Sequence, residues 1–251
     1  MRALVTGAAS GLGAALAAAL RERGDEVLAT DRQDGPGVDL RLDVTSQDDW
    51  ATAVSRVEET WGGLDLLVNN AGIAGGGRIE LCTDEEWRRI FDINLFGVVN
   101  GVRAFTPLLK RQRSGQVLNV ASLAALVHPA GMGSYNAVKA AVLAYTETIG
   151  HELAAYGITA HALCPSYFRT NLVSSMTGTD QVVAHIIGGL VEHSAVTADE
   201  IARAALAGLE AGEELIVPDE AARAAWDLKR HDRTSYDAVM RAQAAKLERE
   251  A

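Results

Sequence analysis

The sequence is poor in the features that mark several kinds of protein. It holds two cysteines, Cys82 and Cys164, far apart and in no ligand-like spacing. A disulfide framework is excluded as the basis of the fold, and two buried, reduced thiols of a cytoplasmic protein are expected. Positive charge is scarce: 23 Lys and Arg against 33 Asp and Glu leave a net charge of −10. With no basic patch, no nucleic-acid partner is expected. No apolar run approaches the roughly 20 residues that cross a bilayer, so no membrane span is expected. The first residues read as an apolar strand, so no signal peptide is expected. The six histidines form no metal motif, so no metal site is expected. Repeats and low-complexity linkers are lacking as well. Against these absences, 48% hydrophobic and 22% charged residues describe an ordinary soluble globule with a sizeable core. A length of 251 residues suits one large α/β domain or two small ones.

The first forty residues have a definite order. Ala3-Leu4-Val5 reads as a buried strand, and Thr6-Gly7-Ala8-Ala9-Ser10-Gly11-Leu12-Gly13 follows as a Gly-rich turn. A helix is predicted from about Leu12 to Arg23, stopped by Gly24, and a second strand over Glu26–Thr30 ending at Asp31. Strand, Gly-rich turn, helix, strand and then an acid about 20 residues after the turn is the context of a dinucleotide-binding unit. The glycines let backbone approach a pyrophosphate, and the helix N-terminus supplies amide donors. The spacing is Gly-x-x-x-Gly-x-Gly, without the Gly-Lys-Ser/Thr ending of a nucleoside triphosphate loop.

Further strands are predicted at Val38–Leu42, ending at Asp43, and at Leu64–Val68, running into Asn69-Asn70-Ala71-Gly72. Between them Thr45 or Ser46 caps a helix to Trp61, stopped by Gly62. Thr83-x-x-Glu86 is a capping-box pattern opening a helix with Trp87, Ile90, Phe91 and Leu95 on it. Asn94 falls inside that helix, where an Asn is ordinarily solvated or locally bonded. Strands at Gln116–Val120 and Ile158–Leu163 end at Ala121-Ser122 and Cys164-Pro165.

Ser134-Tyr135-Asn136-Ala137-Val138-Lys139 opens a helix that then turns apolar. Residues four apart share a face, so the Lys139 ammonium lies one turn from the Tyr135 phenol. A phenol titrates near pH ~10, and a fixed cation beside it is expected to lower that value. The pair suits proton exchange with an alcohol or a carbonyl.

Thr6-Gly7-x3-Gly11-x-Gly13, Asn69-Asn70-Ala71-Gly72, Asn94, Ser122 and Tyr135-x3-Lys139 occur in an order that resembles the short-chain dehydrogenase/reductase family. The resemblance covers roughly residues 1–217. It implies a Rossmann-type, doubly wound parallel α/β sheet in a single domain, with 218–251 as a C-terminal helical extension. It also implies an NAD(P)-dependent oxidoreductase of secondary alcohols or ketones. Tyr135 would exchange the proton, Ser122 hydrogen-bond the substrate oxygen, and Lys139 lower the Tyr135 pKa and hold the nicotinamide ribose. Asn94 would anchor a water leading from Lys139 to solvent. Gly7, Ser10, Gly11, Leu12 and Gly13 would meet the pyrophosphate, and Asp31 and Arg32 the adenosine ribose. Asp43 and Val44 would lie at adenine, and Asn70, Ala71 and Gly72 on the adenosine side. Pro165 and Thr170 would lie near the carboxamide, and Tyr135 would also face the cofactor. Asp31 favours NAD over NADP, because a carboxylate accepts from ribose hydroxyls and repels a 2′-phosphate. Arg32 is the counter-argument. The resemblance further implies a homodimer or homotetramer.

Departures from the pattern lie late in the chain. Ser166 stands where such proteins carry Gly, which leaves the turn geometry open because Ser tolerates positive φ poorly. Residues 171–195 are expected to cover the substrate, and their apolar character points to a moderately hydrophobic small molecule. A helix from Thr197 to Gly212 carries the capping pattern Thr197-x-x-Glu200 and precedes a strand at Glu214–Val217. About thirty helical residues follow, with a narrow stripe of Tyr236, Val239, Met240, Ala244 and Leu247 to be buried against its own chain or a partner. Two rival functions remain: a dinucleotide-binding regulator without turnover, and an isomerase using bound cofactor transiently. A regulator would be expected to lose Tyr135, Lys139 or Ser122, and all three are present.

Overall fold

The computed structural model describes residues 1–170, 175–176 and 178–249. Its elements follow in the order β1 (Arg2–Thr6), α1 (Gly11–Glu22), β2 (Glu26–Asp31), β3 (Leu40–Arg41), α2 (Gln47–Trp61) and β4 (Leu66–Asn69). Next come α3 (Asp84–Phe91), a π-helical turn (Asp92–Phe96), α4 (Gly97–Gln112), β5 (Gly115–Val120), α5 (Gly133–Leu153) and β6 (Ile158–Leu163). The chain then forms α6 (Gln181–Glu192), α7 (Ala198–Ala211), β7 (Leu215–Ile216), α8 (Glu220–His231) and α9 (Arg233–Arg249).

The seven strands form one sheet in the order β3-β2-β1-β4-β5-β6-β7, and every pair is parallel. Helices cover both faces, so the central strands are apolar throughout rather than alternating. The period of two still sorts their side chains. Ala3, Val5, Leu66, Val68 and Leu118 join α1 and α7 in one core, while Leu4, Leu67 and Val117 join α2, α4 and α5 in the other. The order reverses between β1 and β4, which opens a crevice at their C-terminal ends.

Local chemistry explains most boundaries. Ser46 caps α2 by accepting from the Asp49 amide, and Gly62 ends it in the left-handed region at φ 67°. Both Thr-x-x-Glu patterns close as capping boxes, at Thr83 and at Thr197. Strands β3 and β7 are two residues each, shorter than their sequence patterns.

Two expectations are corrected, and the open question of the turn at Ser166 is answered. The helix after Thr83 is not a regular one: it passes through the π-helical turn, which holds Asn94 buried rather than solvated. Ser166 does not adopt positive φ; Arg113 is the only non-glycine residue that does so among the described residues. The stripe on α9 is only partly buried: Tyr236 and Leu247 are covered, Met240 and Ala244 are half-buried, and Val239 is 44% exposed. Of the segment expected to cover the substrate, residues 171–174 and 177 lie outside the described residues.

Candidate active site

The turn between β1 and α1 is shaped by close contact. Gly7 takes φ 69°, which a side chain disfavours. A Cβ on Gly13 would stand 2.1 Å from the Gly7 carbonyl oxygen and 2.5 Å from Asn70 Nδ2. The strand end opposite clasps this turn. Asn70 Nδ2 donates to the Thr6 and Gly7 carbonyls, and Thr6 Oγ1 accepts from the amides of Asn70 and Ala71 while donating to Val68. Thr6 opens the Gly-rich motif in the sequence but has no role of its own there; the structure makes it the clasp between the two strand ends. Its signal is a polar residue at a buried strand end, facing the Asn-Asn pair of the neighbouring strand.

Helix α1 begins without a side-chain cap from Ser10 and without an acid in its first turn. Its first amides face a cavity of about 800 Å³ bordered by Gly7, Ser10 and Gly11. A Cβ on Gly11 would lie 2.7 Å from Thr170 Oγ1, so Thr170 closes over the turn. Asp31 borders the same cavity, held in place by the Ala9 and Gln33 amides at 3.1 and 3.0 Å. Arg32 lines the cavity beside it. Asp43 accepts from the Thr45 amide and hydroxyl, and these bonds hold its carboxyl below the usual range. Leu12, Val44, Ala71, Gly72 and Pro165 also line the cavity. A tight glycine cradle, an uncapped helix N-terminus and a carboxylate at the second strand's end fit a dinucleotide.

The cavity continues to Ser122, Tyr135 and Lys139. Ser122 follows β5 by two residues, caps the short turn behind it and accepts the Ala124 amide at 3.2 Å. Tyr135 lies in the first turn of α5 and is 8% exposed. Burial pushes its phenol up to about 12, with a hydrogen bond to Ser122 pulling the other way. Lys139 Nζ lies 5.8 Å from the Tyr135 ring centre and donates to the Val120 carbonyl at 2.8 Å. Burial brings Lys139 down to about 8. The expected lowering of the phenol by its neighbouring cation is therefore overturned: both groups sit where desolvation disfavours charge.

Asn94 bonds both backbone groups of Ile73, at 2.8 and 2.9 Å. The π-helical turn aims it there, and Gly72 leaves it room, since a Cβ on Gly72 would lie 3.1 Å from Asn94 Oδ1. A second buried chain fixes α5 against the sheet. Asn69 donates to Asn119 across β4 and β5, and Asn119 donates to Thr146 on α5.

The substrate side is apolar. Met132, Tyr167, Val183, Ile187, Met240 and Leu247 line it, and Tyr135, Val183, Ile187 and Leu247 share one buried cluster. The sequence pattern marked the α6 residues as a cover but left α9 unassigned.

Residues 1–181 match the family model described as short chain dehydrogenase. The chain belongs to that family. It is accordingly an oxidoreductase with a nicotinamide dinucleotide fold. Among curated relatives, a Staphylococcus aureus protein called 3-oxoacyl-(acyl-carrier-protein) reductase FabG is 35% identical over 190 residues, 70% of this chain and 77% of the relative. Two solved short-chain dehydrogenases are similar over nearly their full length. One from Burkholderia phymatum, in complex with NAD, has a TM-score of 0.86 at 27% identity, covering 92% of this chain and 93% of that one. One from Burkholderia cenocepacia, in complex with NADP, has a TM-score of 0.81 at 32% identity, covering 95% and 96%. Such dehydrogenases thus occur with either cofactor. No helix among the described residues is long and apolar enough to cross a membrane.

Proposed function

We propose that this short-chain dehydrogenase interconverts a ketone and a secondary alcohol, with Tyr135 as the proton-exchanging group. The observation that carries this reading is the buried Tyr135 phenol, hydrogen-bonded to Ser122 and stacked over by Lys139 at the apolar end of the cavity. A phenol held near 12 is neutral at physiological pH, so Tyr135 acts as a proton donor to a carbonyl oxygen. Ketone reduction is the direction that this favours, and the name of the Staphylococcus aureus relative points the same way. Ser122 hydrogen-bonds the same oxygen and orients it. Lys139 would hold the nicotinamide ribose and relay a proton to Tyr135, and Asn94 would anchor a water beyond it. A nicotinamide dinucleotide, when bound, supplies or accepts the hydride. Gly7, Ser10, Gly11, Leu12 and Gly13 would hold its pyrophosphate, and Pro165 and Thr170 its carboxamide. Asp43, Val44, Asn70, Ala71 and Gly72 would line its adenosine.

NAD is the proposed cofactor. The Asp31 carboxylate already accepts two backbone amides, which fixes it at the cavity edge where a 2′-phosphate would meet like charge. A homo-oligomer is proposed through the faces of α3, α4 and α5, supported by Trp87 and Phe96, which are 38% and 52% exposed. A cytoplasmic location is proposed from the two free thiols.

Tyr135→Phe tests the reading. Fold and cofactor affinity should persist while turnover of ketones, read at the reduced-nicotinamide absorbance band, drops by about two orders of magnitude or more. Turnover close to wild type would remove Tyr135 from the chemistry. A wild-type protein that binds cofactor yet turns over no ketone or alcohol would be the regulator instead.

A further inference from the structure

The substrate side of the cavity holds two phenols. Tyr135 is hydrogen-bonded to Ser122 at the reacting centre. The second is Tyr167, two residues past Pro165, half-buried and on the wall of the same cavity. It packs against the cluster that contains Tyr135, Met132, Val183 and Ile187. The two phenols are close enough to act on one another: burial is the main cause that pushes Tyr135 up to about 12, and Tyr167 adds to it. Burial raises the Tyr167 phenol as well, so it keeps its proton at physiological pH and can donate it in a hydrogen bond.

The backbone around Tyr167 is held in place. Ser194 Oγ donates to the Tyr167 carbonyl at 2.8 Å, and the Ser166 amide before it donates to Asp219 at 2.9 Å. The Arg169 amide beyond it donates to the Val196 carbonyl at 3.0 Å. The hydroxyl is engaged far less. Its partner among the described residues is the Met132 thioether, 3.6 Å away, and a thioether is a weak acceptor. A Tyr hydroxyl on an apolar wall ordinarily finds a better one. Nearby hydroxyls are committed elsewhere: Ser122 to Tyr135 and the Ala124 amide, Ser166 to the Asp219 carboxylate.

Filling the cavity turns this into a matter of selectivity. A hydrocarbon substrate body displaces water from the Tyr167 hydroxyl and leaves it with the thioether alone. A substrate with an oxygen at that place accepts the hydrogen bond instead. We infer that Tyr167 determines specificity by donating a hydrogen bond to a second oxygen of the substrate, apart from the one that Tyr135 and Ser122 engage. The preferred substrates are then oxygen-bearing ketones and not plain alkyl ketones. This deepens the ketone reading and rests on it for turnover, but not for binding. Tyr167 takes no part in the proton exchange, so its effect belongs in KM rather than kcat.

The test compares full-length wild type with Tyr167→Phe, which keeps the ring and removes the hydroxyl. Each is given methyl ketones of equal length: a plain alkyl one, and analogues in which an ether oxygen replaces the second, third or fourth carbon beyond the carbonyl. Reduction is followed at the reduced-nicotinamide band, and binding of the same ketones by calorimetry. For at least one ether position, the ratio of kcat/KM for the ether ketone over the plain ketone should fall by about tenfold in Tyr167→Phe, the scale of one hydrogen bond. The loss should lie in KM, and the binding constants should repeat it. The position with the largest loss locates the second oxygen. A ratio that stays the same at every position, whether the individual rates hold or fall together, would overturn the inference and leave Tyr167 a packing residue beside Met132. The same loss seen in binding, with no turnover by wild type, would sink the oxidoreductase reading and leave this inference standing. Neither binding nor turnover of any of the ketones would sink both.

Discussion

The two halves of the cavity are built by different means. Around the Gly-rich turn, shape comes from backbone: positive φ at Gly7, the contact of Gly13 with the Gly7 carbonyl, and the amides that fix Asp31. On the substrate side, shape comes from side chains of α6 and α9 packed against Tyr135. The first half tolerates little change, because a backbone contact cannot repack. The second half can change size and polarity without disturbing the sheet, since its residues lie outside the strands.

The sharpest test of this contrast is Gly13→Ala. Its Cβ would meet backbone that cannot move away, so stability should fall by roughly 3 kcal/mol, the upper range for overpacking, and nucleotide binding should be lost. Chemical denaturation and calorimetry read the two effects. A stable variant that binds NAD normally would show that the turn relaxes and that the contrast is false.

Asp31→Ala bears on the same half through charge alone. The ratio of kcat/KM for NAD over NADP should shrink by at least about tenfold, a change of about 1.4 kcal/mol in relative barrier. Weaker use of NAD and better use of NADP should both contribute. A wild-type preference for NADP would hand the decision to Arg32.

How much of each half could be read from sequence follows from the same difference. Gly7, Gly11, Gly13 and Asp31 are local constraints, each announced by residue type within one β-α-β unit. Tyr135 and Lys139 are legible because helix periodicity alone brings them together. Asn94 was legible only through the family pattern, because a π-helical turn leaves no mark in hydrophobic spacing. Leu247 beside Gly131, and Asp219 beside Ser166, join segments remote in sequence, and no local rule pairs them. Ser166 itself illustrates the limit. The residue type raised a backbone problem, and the structure solves it with a carboxylate 53 positions away.

That carboxylate offers a smaller test. Asp219 accepts the Ser166 amide and hydroxyl at 2.9 and 2.6 Å, and also the Ala222 amide in the first turn of α8. Asp219→Ala should cost about 2 kcal/mol, from the lost cap and an unpaired partner. Asp219→Asn should recover part of it by keeping the cap. An unchanged denaturation midpoint in Asp219→Ala would mean that the extension is merely appended to the domain.

The smallest effect is a pH dependence at the other fastening of the extension. His128 is held below its ordinary value, chiefly by burial and then by the Lys229 cation, whose Nζ lies 2.9 Å from Nδ1. Unfolded His takes up a proton near pH ~6.5, while folded His128 does so only at lower pH. As pH falls through that window the unfolded state binds more protons, so stability declines and then levels off below the folded value. His128→Gln should flatten that decline in denaturation midpoints between about pH 6.5 and 5. An identical slope in the variant would assign the dependence to other groups.

The shared role of Asp219 has a consequence for how the molecule opens. One carboxylate closes the first turn of α8 and pins the segment that follows β6, the segment carrying Pro165 and Thr170. Fraying of α8 and release of that segment are therefore one event with one opening free energy. Amide exchange at Ser166 and Ala222 should be protected to the same degree and should slow together when a dinucleotide is added. The C-terminal helices, although remote from the Gly-rich turn in sequence, would then report on its occupancy as a single cooperative unit.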